Sequence, residues 1–136
     1  MLQSGIHVPA NSNSNFHIFD DILIDIGDQQ SIEDDLSTFS SHLKNLKSIV
    51  ENASDKSLIL LDEIGTGTDP AEGSALSMAI LNTLLVKGSI VFASTHHGSL
   101  KVFAYDKVGM QNAAMEFDHT NLSPTYKFKL GIPGSS

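Results

Sequence analysis

Apolar positions along this chain change their period several times, and each change marks an element. Leu58-Ile59-Leu60-Leu61 is a continuous apolar run, the pattern of a strand buried on both faces inside a parallel sheet. Residues 89–94 form a second short apolar strand. Leu36, Phe39, Leu43, Leu46 and Val50 recur at steps of three or four. That spacing puts them on one face of a helix over 37–50. Ser37 and Thr38 stand at its start, where hydroxyl caps belong. Residues 71–87, rich in Ala, Leu and Met, predict another helix, stopped by Gly88. Ile22, Ile24 and Ile26 alternate with Leu23 and Asp25, which favours a short strand. Strand, helix and strand at this spacing predict a right-handed parallel βαβ unit. Residues 108–117 and 125–130 read as strands around a polar turn at 118–124. They are expected to form an antiparallel hairpin on the edge of the sheet. Residues 1–5 read as the frayed end of a helix, with Gly5 as its stop. Gly131-Ile132-Pro133-Gly134 breaks any regular element.

Composition narrows the function. A chain of 136 residues, 40% hydrophobic, suits one domain. It has no cysteine, which excludes disulfides and thiolate metal sites and fits a reducing cytoplasm. No apolar stretch approaches the ~20 residues of a membrane span, so no membrane partner is expected. The net charge is −8, and all eight basic residues are lysines. The chain therefore supplies no arginine finger and lacks the basic stripe of a nucleic-acid surface. Seven acids and no base lie between Asp20 and Asp35. Most of these are read as a solvated face.

The candidate chemistry begins where the apolar run ends, at Asp62-Glu63, followed by Gly65-Thr66-Gly67-Thr68-Asp69-Pro70. Open α/β sheets place ligands beyond the carboxyl ends of their strands. Two acids there suit a metal–phosphate site, one holding Mg²⁺ and the other handling a water proton. That is the Walker B pattern of a nucleotide hydrolase. The plain alternative is a core strand running into an acidic turn. The glycines are not a phosphate loop, because no Gly-Lys-Ser or Gly-Lys-Thr closes them. Pro70 likewise stands where a dinucleotide fingerprint needs its third glycine. Ser37 and Thr38 open a helix whose unpaired amides suit phosphate, although ordinary capping explains them equally. Gly27-Asp28-Gln29-Gln30 is a switch segment or a simple turn. His96, at a strand's carboxyl end, can bond a terminal phosphate or position a water. In an extended backbone His96 and His97 point to opposite faces. His7, His17, His42 and His119 show no ligand spacing and read as surface or packing residues.

Together these motifs resemble the MutS family of mismatch-repair ATPases, and most closely its second bacterial subfamily. The residues that carry the resemblance span nearly the whole chain in order. They are 26–32, 36–40, 60–70, Glu72-Gly73, Thr95-His96, 112–117, Pro124-Thr125-Tyr126 and 131–134. The resemblance implies an α/β, partial P-loop NTPase fold like that of the ABC ATPases, mostly parallel and flanked by helices. It implies ATP and Mg²⁺ as cofactors. Asp62 would hold the Mg²⁺–water shell, and Glu63 would orient or deprotonate the attacking water. Ser37, followed by Thr38, would be the signature serine reaching the γ-phosphate bound to a partner subunit. Gly65, Gly67 and Asp69 would belong to a loop crossing the dimer interface. His96 would be the switch histidine. Asp28 and Gln29 would couple the nucleotide site to other domains.

The family's Walker A segment would precede Met1, and its nuclease domain would follow. Residues 1–136 are therefore expected to be the carboxyl-terminal part of a MutS-type ATPase domain, inactive alone. The resemblance implies a homodimer through this domain. DNA, RNA or ribosome contacts would lie elsewhere in the parent, in restraint of recombination or work on stalled ribosomes. The rival readings are a non-catalytic dimerisation module and a metal-dependent phosphoesterase using Asp62, Glu63 and His96.

Overall fold

The computed structural model describes residues 2–26, 35–118 and 120–131, and for 35–39 the backbone. After a 3₁₀ turn at Leu2–Ser4 come β1 (Asp21–Asp25), α1 (Asp35–Asn52) and β2 (Ser57–Leu61). Then follow α2 (Pro70–Val86), β3 (Ile90–Ala93), α3 (Gly98–Asp106), β4 (Ala113–Asp118) and β5 (Ser123–Leu130). Strands β1, β2 and β3 form a parallel sheet in that order. This is the βαβ arrangement that the apolar periods predict. The 3₁₀ turn ends at Gly5, whose φ of +76° suits a residue without Cβ. Among the described residues no helix is long and apolar enough to cross a membrane.

Register fixes the two faces of the sheet. Ile22, Leu58 and Ile90 are aligned across the strands, as are Leu23, Ile59 and Val91. The second set faces α1 and α2. Ile59 and Leu61 pack there with Leu46, Ile49 and Ala53 of α1 and the segment after it, and with Ile80 and Leu84 of α2. Leu100 brings α3 into the same core. The opposite face is open: Leu58 and Leu60 are half-buried, while Ile22, Ile24, Ile90 and Phe92 are exposed. The expectation that β2 is buried on both faces is thus corrected. Its burial alternates because both long helices lie on one side.

Two further differences stand out. The β4–β5 hairpin forms its own two-stranded antiparallel sheet and, among the described residues, pairs with no strand of the parallel sheet. A groove of about 1020 Å³ separates it from β3. The expected place on the sheet edge is therefore not taken. Helix α3 was not anticipated, although Leu100, Phe103, Ala104 and Lys107 keep helical spacing and are at least half-buried.

Candidate functional site

The site is built at the carboxyl ends of β2 and β3. The peptide after β2 is fixed on both sides: Asp62 N–H donates to the Asp25 carbonyl at 2.8 Å, and Ile64 N–H to the Ser94 carbonyl at 3.1 Å. Between them Glu63 takes a φ of +49°, a left-handed conformation uncommon for a residue with a side chain. Ser94 spans the turn. Its Oγ donates to Asp62 Oδ1 at 2.5 Å and accepts from Glu63 N–H at 2.8 Å. One hydroxyl therefore orients the first acid and stabilises the backbone of the second. Sequence reading did not single out Ser94. The signal was a hydroxyl residue ending the strand next to the acidic one.

Gly65 and Gly67 follow with φ of +92° and +83°. A Cβ on Gly65 would lie 2.9 Å from the Gly73 carbonyl oxygen, and one on Gly73 would lie 2.1 Å from the Gly65 oxygen. The two backbones touch, and only glycine at both positions permits it. The loop then enters α2 through Asp69, whose carboxylate accepts from Ala71 N–H at 2.9 Å and Glu72 N–H at 3.3 Å. Pro70 occupies the first helical position, which completes a well-formed start. Asp69 thus has a capping task in this chain.

His96 and Asp62 line the same groove beside β3. His97 turns back toward the glycine loop, with Nε2 3.3 Å from the Gly65 carbonyl. The two imidazoles lie 4.6 Å apart at 35°. This corrects the expectation of opposite faces: the segment leaves β3 as a loop before α3, so strand alternation does not apply. Ser37 and Thr38 fall in the first turn of α1, where a helix start was expected. Asp28 and Gln29 lie outside the described residues, as do His119 and the breaker at 132–134. His42, read as a surface or packing residue, lies 3.2 Å from Asp25 through Nδ1. Asp25 is itself buried and so departs from the solvated acidic face.

Asp62 fits a divalent cation held through one carboxylate. Ser94 engages its Oδ1, and among the described residues no three His, Cys, Asp or Glu side chains gather to cage a metal. A single acid at an open rim suits Mg²⁺, which keeps most of its waters and takes further oxygens from phosphates.

Comparison with known proteins agrees with this architecture. Three relatives named Endonuclease MutS2 align with all 136 residues: 53% identical from Alkaliphilus oremlandii, 55% from Caldicellulosiruptor saccharolyticus and 52% from Staphylococcus carnosus. In each the chain spans 17% of the relative's length. The family model described as MutS domain V matches residues 1–135. With its parallel sheet, flanking helices and carboxyl-terminal hairpin, the chain belongs to the MutS domain V family, whose fold is P-loop NTPase-like.

Proposed function

We propose that this domain contributes the hydrolytic half of an ATPase site in a larger MutS-like protein that acts on nucleic acids. The observation that carries the reading is the Asp62–Ser94–Glu63 arrangement at the mouth of two parallel strands. Mg²⁺, when bound, would neutralise phosphate charge, and Asp62 would hold its water shell. Glu63, on a constrained turn one residue further, would orient or deprotonate a water. His96 shares the rim with Asp62 and would hydrogen-bond the terminal phosphate.

The chain carries no phosphate loop of its own. In P-loop NTPases the Walker A backbone and lysine cradle the β- and γ-phosphates. We assign that cradle to another segment of the parent. Residues of β3 and of the β4–β5 hairpin line the groove that Asp62 and His96 share. Ser37 and Thr38, at the amino-terminal end of α1, would meet a nucleotide held by a second subunit. The loop with Gly65, Gly67 and Asp69 would lie at that interface, and Asp28 and Gln29 would couple it to other domains. DNA or RNA contacts belong to other parts of the parent, since this chain has a net charge of −8 and no arginine.

The test is Glu63→Gln in the full-length protein. Amide for carboxylate keeps size and removes the base. ATP binding should persist while turnover falls roughly 10²–10⁴-fold, the usual contribution of a positioned base. A kcat near the unaltered value removes Glu63 from this role. A stable dimer with no ATPase activity in the unaltered protein would replace the reading with a dimerisation module.

A further inference from the structure

Asp25 is a buried carboxylate that neither the hydrolytic nor the phosphate-binding role uses. It ends β1 and is 7% exposed. Its Oδ1 accepts from Asn45 Nδ2 at 2.7 Å, and its Oδ2 lies 3.2 Å from His42 Nδ1. Asn45 Nδ2 also donates to the Ile24 carbonyl at 3.1 Å. Through its backbone the same Asp25 accepts the Asp62 N–H at 2.8 Å. One residue therefore grips α1 with its side chain and the acid-bearing turn with its main chain.

The chemistry is specific. A carboxylate removed from water is costly unless it is hydrogen-bonded, and both of its oxygens here are engaged from a single helix. His42 and Asn45 are three residues apart, so they present to the same side of α1. Asp25, His42, Asp62 and Glu63 also line one water-sized cavity of about 20 Å³. Ser37 lies five residues before His42, roughly 7.5 Å along the axis at ~1.5 Å per residue. A helix gripped at that point cannot tilt or slide without moving its first turn relative to β2.

We propose that Asp25, His42 and Asn45 form a clasp that sets the amino-terminal turn of α1 in register with Asp62 and Glu63. The inference rests on the ATPase reading above and explains how α1, which carries Ser37, is tied through Asp25 to the acid-bearing turn of the same chain. The three are positioning residues: they act through the elements they join.

The experiment compares steady-state Mg-ATPase kinetics and thermal stability in the full-length protein for His42→Ala, Asn45→Ala, His42→Asn and Glu63→Gln. Each alanine variant should lower kcat roughly tenfold, within the ~10²-fold loss that a 1 Å misplacement brings. KM for ATP should stay within about twofold, because uniform binding is untouched. His42→Asn, whose Nδ2 stands where His42 Nδ1 does and keeps an N–H donor, should recover most of kcat. Alanine variants with unchanged kcat, beside an inactive Glu63→Gln, overturn the clasp and leave the ATPase reading intact. A fully active Glu63→Gln overturns both. Loss of kcat that asparagine does not restore points to bulk packing and also overturns the clasp. Should His42→Ala not fold, His42→Asn against His42→Leu decides in the same way.

Discussion

The two faces of the parallel sheet are both apolar, yet they have different fates. Leu23, Ile59, Leu61 and Val91 lie under α1 and α2, and Ile59 is 0% exposed. Ile22, Ile24, Ile90 and Phe92 on the other side are 41–57% exposed. Side-chain chemistry does not separate them, since both sets are aliphatic or aromatic. Cover does. Parallel sheets occur almost always with both faces covered, whereas here, among the described residues, helices cover one face. The site sits at the end of the same strands, closed by Ser94 and Asp25 and open toward the groove where His96 stands.

The contrast is broken most directly by truncating one residue on each face. Ile59→Ala should cost about 2–5 kcal/mol by leaving a cavity in the closed core. Phe92→Ala should cost less than about 1 kcal/mol, as an exposed substitution does. Urea unfolding of the two variants measures both, and equal losses would show that the open face is covered in solution. Repeating Phe92→Ala in the full-length protein sharpens the comparison, because a covered face there would raise its cost toward that of Ile59.

The closed side also contains the glycine contact under the acid turn. Gly73→Ala puts a methyl 2.1 Å from the Gly65 oxygen. Backbone cannot yield there as a flexible side chain would, so a loss of about 1–3 kcal/mol is expected, with a shift in the amide resonances of the 63–67 turn. Asp69→Ala removes the cap of α2 and should cost about 1 kcal/mol. Faster hydrogen exchange at Ala71 and Glu72 would report it, and unchanged exchange would deny Asp69 that task.

The smallest effect belongs to the hairpin, away from the core. Lys129 beside Glu116, with Thr125 donating to the carboxylate at 2.9 Å, holds that group below its ordinary value of 4.5. Backbone and side-chain donors from Thr120 and Asn121 lower Asp118 below its ordinary 3.8. A folded-state value below the unfolded one stabilises above the unfolded value, and the gain disappears as pH falls through the folded one. Hairpin amide protection factors, taken relative to the intrinsic exchange rate at each pH, should therefore fall as pH drops below 4.5 and then below 3.8. Glu116→Gln should remove the upper part of that dependence. Both groups are solvent-exposed, so the change should be slight and weaken with salt.

Local pattern was enough for β2, α2 and β3, because period and end signals are written in neighbouring residues: an unbroken apolar run, a stretch rich in Ala, Leu and Met, Gly88 after its end. It also placed the acid pair at a strand terminus and Ser37 in a first helical turn. It did not find α3, whose amino-terminal cap position, His97, makes no capping hydrogen bond through its side chain. What the sequence alone left undetermined depends on partners far along the chain. Ser94 meets Asp62 across 32 residues, and Asn45 meets Asp25 across 20. Which face of the sheet is covered, how far the hairpin stands from β3, and which acid of a charged run is buried were decided by tertiary packing. Burial and directional hydrogen bonds follow from how elements are stacked, and periodicity records only which residues share a face.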